Sequence, residues 1–202
     1  MSEITGNTVS GTSSPAPGAR IAPAAAPFSP RAQAWFDKVM PPGVAPLTLF
    51  TTLARDERLC DKFFSAGLLD RGHLTLRQRE LVIDRTTALC RSEYEWGVHI
   101  AIFGKHVGLS AEQIHSFVHG SPEDACWSAP ERVLLRMCDA LHRDSTLDDA
   151  LWLALREQFS EPAMLELLML AGFYRTVSYL TNALCLPLEP NGARFPPAPK
   201  EV

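Results

Sequence analysis

From residue 31 to residue 184, apolar positions recur at three- and four-residue intervals, the spacing of one helical face, and no stretch shows the alternation of a half-buried strand. The pattern predicts helices over 31–39, 46–54, 57–70, 76–90, 93–107, 111–119, 129–143, 147–159 and 162–184. Four start signals have the capping-box form: Thr75-x-x-Gln78, Ser92-x-x-Glu95, Ser110-x-x-Gln113 and Ser128-x-x-Glu131. In such a box the hydroxyl and the later side chain satisfy each other's backbone amides. Gly108 and Gly120 stand where left-handed helix ends favour glycine. Between residues 47 and 186 only Pro122, Pro130 and Pro162 interrupt the chain, so a helical body lies between two Pro-rich ends.

The ninth predicted helix, "LELLMLAGFYRTVSYLTNALCLPL", is apolar on nearly every face and belongs in the core or at a subunit interface. Arg175 near its middle and Pro187 after it argue against a membrane span. A fainter feature is the similarity of Glu80–Arg85 to Glu131–Arg136, which suggests two diverged copies of one helical unit.

Composition narrows the class. With 202 residues, 46% of them hydrophobic, the chain has material for one all-α domain over 31–188. Residues 1–30 read as a disordered Pro/Ala/Ser-rich tail without the apolar run of a secretory signal, and 189–202 as an extended Pro-rich tail. "FPPAPKEV" and "VMPPGVAPLTLF" have enough apolar character to drape over a neighbouring surface. A net charge of −4 gives no basic footprint for nucleic acid. Cysteines 60, 90, 126, 138 and 185 contain no CxxC spacing and signal neither disulfides nor zinc, which fits a cytoplasmic protein.

Candidate chemistry concentrates in "CRSEYEWGVH", residues 90–99. On a helix begun at Ser92, steps of 100° place Ser92, Glu95, Trp96, His99 and Phe103 in one stripe. An imidazole one turn beyond a carboxylate, walled by aromatic rings, can exchange protons near neutral pH. Ser92 and Glu95 have an alternative as backbone caps, and His99 one as a satisfied core residue.

Residues 74–114, "LTLRQRELVIDRTTALCRSEYEWGVHIAIFGKHVGLSAEQI", resemble the core motif of the carboxymuconolactone decarboxylase and AhpD-like superfamily. Redox-active members carry Glu, then CxxC, then His. Counted from Glu80, those cysteines fall on Ser92 and Glu95 and the histidine on His99, so the register is kept while both thiols are missing. The likeness continues more loosely through "ALHRD", "LWLALREQFS" and "YR" to about residue 188.

The resemblance implies an AhpD-like helical bundle whose subunits pack into a homo-oligomer, a dimer, trimer or hexamer. A thiol peroxidase needs a nucleophilic and a resolving thiol, which serine and glutamate cannot supply. What remains is the decarboxylase side of the superfamily: a cofactor-independent lyase acting on a small carboxylated lactone, keto acid or related catabolite, as in breakdown of aromatic compounds. His99 is then the expected proton donor, with Glu95 or Glu80 orienting it and Tyr94 or Ser92 bonding developing oxyanion charge. Outside the family register, Glu80 reads as a surface ion pair with its neighbours Arg77 and Arg79. A proton-transfer isomerase, a hydrolase and a non-catalytic binding protein are the competing readings.

Three further groups carry weaker signals. Arg175 has the fork to bind a substrate carboxylate, or to pair with Glu166 or Asp139 in the interior. Asp139-x-x-His142 reads either as an orienter and base or as a solvated helix end. His115 and His119 have metal-clasping spacing but no third ligand, so no metal is expected.

Overall fold

The computed structural model describes residues 18–198. Nine α-helices follow in chain order: α1 (Pro30–Val39), α2 (Thr48–Leu53), α3 (Glu57–Ser65), α4 (Leu76–Leu89), α5 (Glu93–His99), α6 (Ala111–His119), α7 (Ala129–Asp144), α8 (Asp149–Arg156) and α9 (Glu161–Ala183). A π-helical turn, Ile100–Gly104, continues α5 without a break. The described residues contain no strand, and no helix among them is long and apolar enough to cross a membrane. The all-α expectation therefore holds, and each predicted helix has its counterpart.

The hub is α4. Its residues from Glu80 to Ala88 are all buried, because α5, α6, α7 and α9 pack around it. Leu81, Val82 and Ile83 fill the centre, each worth roughly 1.5–3 kcal/mol of burial. The α7 helix, whose opening resembles that of α4, lies directly against it. The α9 helix is less enclosed than its apolar sequence implies. Met164, Leu167, Leu170, Tyr174 and Val177 face the core, while Leu165, Met169 and Tyr179 form an outer stripe more than half exposed. A second, smaller cluster of Phe36, Ala32 and Cys60 joins α1 to α3.

Helix ends explain how α5 comes to lie beside α4. Arg91 takes a left-handed φ of 54°, Ser92 N–H donates to Thr87 O at 2.9 Å and Arg91 N–H to Ala88 O at 2.9 Å. That is a Schellman termination without glycine, and it folds the next helix back along α4. Gly108 ends the π turn at φ 67° as expected. Gly120 does not: its φ of −109° is extended. A Cβ there would collide with the Asp124 carboxylate and with Ser116, so close approach, rather than handedness, demands glycine.

Of the expected tails, residues 1–17 and 199–202 lie outside the described residues. Residues 18–29 run along the body, where Arg20 N–H donates to Leu184 O at 2.8 Å and Ala24 N–H to Thr51 O at 2.9 Å. The C-terminal strap crosses α5: Ala193 N–H donates to Gly97 O at 2.9 Å, Phe195 N–H to Glu93 Oε1 at 2.9 Å, and the Phe195 ring packs on Trp96.

Candidate active site

Ser92 begins α5 with its hydroxyl accepting from Glu95 N–H at 3.4 Å, but the box stays half-formed. At Thr75 and Ser110 the Gln side chain returns to the cap amide. The Glu95 carboxylate instead points one turn on, with Oε1 3.5 Å from His99 Nε2. On the other side of the ring, His99 Nδ1 bonds Glu80 Oε2 at 2.7 Å, from α4. The imidazole thus sits between two carboxylates from adjacent helices. Tyr174 of α9 meets its ring edge-on at 5.0 Å, and Phe103 of the π turn lies against it at 5.5 Å.

All three polar side chains are withdrawn from water: Glu80 is 1% exposed, His99 6% and Glu95 10%. Of the two carboxylates, Glu95 beside Nε2 is the less deeply buried. Burial alone would lower the His99 pKa, but the bonds to Glu80 and Glu95 outweigh it and push it up to about 10. At neutral pH the group is an imidazolium held between carboxylates: a stored proton, and a poor base. Glu80 is not the surface ion pair that its neighbours suggest. Arg77 reaches Glu131 and Val107 O, and only Arg79 approaches it, with Nε 3.5 Å from Oε1.

One acidic residue that sequence reasoning passed over belongs to the same cluster. Asp84, one turn after Glu80 on α4, is fully buried, and both its carboxyl oxygens lack a hydrogen-bond partner in the protein. Burial, and next the negative charge of Glu80, hold its carboxyl well above the usual carboxylate range. The available signal was the Glu80-x-x-x-Asp84 spacing inside an otherwise apolar turn. Tyr174, read from sequence as packing, also faces this cluster, and burial and then the charges of Glu95 and Glu80 raise its hydroxyl pKa.

The remaining candidates are placed elsewhere. Ser92 is fully buried and bonded to Thr181 Oγ1 at 2.8 Å. Tyr94 points away from His99, accepting from Leu49 N–H at 3.0 Å and donating to Glu189 of the strap. Trp96 is fully buried beneath Phe195, its Nε1 without a partner. Arg175 bonds neither Glu166 nor Asp139: it donates to the carbonyls of Leu141 and His142 at the end of α7 and to the Tyr179 hydroxyl. The cause is geometry, since one step of 100° separates it from the inward-facing Tyr174.

Asp139 does not orient His142 but forms a bidentate pair with Arg85. Cys90, the nearest thiol in sequence, closes α4 with Sγ 3.8 Å from His142 Nδ1, away from His99, and burial raises its pKa. His115 and His119 lie ring to ring, with His119 Nε2 at 2.7 Å from Pro196 O. Among the described residues no group of three His, Cys, Asp or Glu side chains is arranged to hold a metal. Concavities of about 640 Å³, beside Arg31, Asp56 and Lys62, and about 210 Å³, beside Thr75 and Phe159, do not touch His99.

Residues 58–140 match the carboxymuconolactone decarboxylase family. A crystal structure of an uncharacterized peroxidase-related protein from Silicibacter sp. TM1040 is similar at a TM-score of 0.73 and 18% identity, over 89% of this chain and 96% of that one. The alkylhydroperoxidase AhpD core of an uncharacterized peroxidase-related protein from Ralstonia eutropha JMP134 gives 0.63 and 22%, over 79% and 84%. The debrominase Bmp8 gives 0.66 and 14%, over 80% and 88%. At these identities the likeness is one of fold. No curated protein matches the chain. The match over residues 58–140 and the AhpD-like fold agree with the resemblance that the register of Glu80 and His99 suggested.

Proposed function

We propose that this protein is a member of the carboxymuconolactone decarboxylase superfamily and a lyase of the decarboxylase type, in which His99 supplies the proton. The observation that carries the reading is the imidazolium clasped between Glu80 and Glu95 where redox relatives place thiols. A small carboxylated lactone or keto acid loses CO2, leaving the bond's electron pair as a dienolate-like carbanion. His99 Nε2 transfers its proton to that carbon and becomes neutral, and solvent returns the proton. Glu80 holds the ring through Nδ1. Glu95, beside Nε2, stabilises the charged form before transfer and marks the side from which substrate approaches. The reaction consumes no oxidant and forms no sulfur bond, so it needs neither missing cysteine.

A homo-oligomer is part of the proposal. The outer stripe of Leu165, Met169 and Tyr179 offers α9 a second packing face, on the side of the helix opposite the Tyr174 that meets His99.

The test is CO2 release from a panel of small carboxylated lactones and β-keto acids, run in D2O so that the transferred proton is traced to carbon. The proposal expects turnover with deuterium incorporation, a 10²–10⁴-fold loss in His99→Gln, and persistence after alkylation of the cysteines. Full activity in His99→Gln, or its abolition by alkylation, defeats it. Release of product without CO2 points to an isomerase or hydrolase, and tight ligand binding without product to a binding protein.

A further inference from the structure

Two buried carboxyl groups share one face of α4. Glu80 and Asp84 are four residues apart, so their Cβ atoms stand roughly 5–6 Å from each other, within reach of a side-chain bond. Each has unused capacity. Glu80 Oε2 is committed to His99 Nδ1, while Oε1 has no hydrogen-bond partner. Asp84 has no partner at either oxygen and no exposure to water. A buried carboxylate left this way is costly, whereas a neutral carboxylic acid can donate to Glu80 Oε1, which Arg79 Nε approaches only to 3.5 Å, and so satisfy both groups at once.

We propose that Asp84 is protonated at neutral pH and donates its O–H to Glu80 Oε1, making it the positioning residue that sets the acidity of His99. The inference rests on His99 as proton donor for its catalytic meaning, though not for its test. An acid–carboxylate pair spreads the charge of Glu80 over two groups, which weakens its hold on the imidazolium and makes His99 a readier donor than Glu80 alone would. It also locks Glu80 in the rotamer that meets Nδ1. Among the described residues no other side chain hydrogen-bonds Asp84, and the cation that acts on it is His99, the group it tunes. His99 faces it from α5 and the Tyr174 phenol from α9. On the α7 side Asp139 is taken by Arg85, whose guanidinium also occupies the carbonyls at the end of α6, and the Cys138 thiol points to Val82 O.

Two measurements on the intact protein decide the matter without substrate. The infrared spectrum at neutral pH is expected to contain a protonated-carboxyl C=O band, shifted in D2O, that disappears in Asp84→Asn. The His99 imidazole, followed by NMR titration, is expected to keep its midpoint in Asp84→Asn, whose amide N–H also donates to Glu80. In Asp84→Leu, which cannot donate, the midpoint should rise by about one pH unit, a tenfold gain in proton affinity. A missing infrared band, or a midpoint lowered by about a unit in Asp84→Asn, shows that Asp84 is ionised and overturns the proposal. An unmoved midpoint in Asp84→Leu overturns the coupling. Retained turnover in His99→Gln would defeat the donor reading and leave these spectra unchanged, so the two failures are distinguishable.

Discussion

The same helix holds two buried polar clusters one turn apart, and they are built on opposite terms. At Arg85 every guanidinium nitrogen is committed: Nε and Nη2 meet the Asp139 carboxylate at 2.6 and 2.8 Å, and Nη1 meets the carbonyls of Ser116, Phe117 and Gly120. At Glu80 and Asp84 three of the four carboxyl oxygens have no hydrogen bond. The first cluster ties α4 to α6 and α7 and leaves nothing free to react. The second keeps capacity in reserve around a protonated histidine, an arrangement that costs stability and suits a site where charge must change.

The largest expected effects separate the two clusters cleanly. His99→Gln should remove 10²–10⁴-fold of any decarboxylase turnover while leaving the helical circular dichroism unchanged. Asp139→Ala should do the reverse. It strands a guanidinium that is only 7% exposed, at a cost near the low end of the roughly 3–5 kcal/mol range because Asp139 itself is 25% exposed. Denaturant unfolding measures that loss. Equal stability losses from both variants would erase the distinction.

The pH dependence sharpens the comparison further. His99, raised from 6.5 to about 10, contributes stability that is fully present below pH 6.5 and is lost as pH rises through about 10. Activity that depends on the imidazolium should fall on the same alkaline limb. Asp84 acts with the opposite sense for a carboxyl. Its raised pKa means that the unfolded chain releases this proton first, so folding is penalised once the pH exceeds 3.8. Replacing it by Leu removes that penalty but strands Glu80 Oε1, so the variant should gain stability relative to the parent protein as the pH rises from 4 to 7. Asp139→Leu should show no such gain. Chemical denaturation of both variants at pH 4 and pH 7 checks the sign.

This contrast also explains what could be read from the sequence. The helices were legible because periodicity and caps are local: α4, α6 and α7 start at Thr75, Ser110 and Ser128, where the boxes stand. Glu80, Glu95 and His99 were legible through the spacing of a family motif. Arg175 and Tyr94 bond partners that the sequence did not indicate, for a common reason. A sequence gives the angle of a side chain on its own helix, but which neighbour meets that face depends on how helices cross. Asp84 was missed because an acid four residues after another, next to Arg85, reads as a solvated face; only enclosure of α4 on all sides reveals it as buried. The Arg91 turn was invisible because a left-handed end without glycine leaves no mark in composition.

Ser92 gives the smallest effect and the finest test, because in the motif that the sequence resembles its position is that of a cysteine and yet it is like the Arg85 cluster in its bonding. Its hydroxyl accepts from Glu95 N–H and pairs with Thr181 Oγ1, and it has no exposed surface. Ser92→Ala removes a cap and strands the Thr181 hydroxyl, for an expected cost of about 1–2 kcal/mol, or several degrees in Tm for a chain of this length. If Ser92 belongs with the saturated structural groups, that loss should appear in unfolding while the alkaline limb set by His99 stays where it is. A displaced limb would mean that the hydroxyl acts on the acid through Glu95, and the line between the two clusters would then run through Ser92 itself.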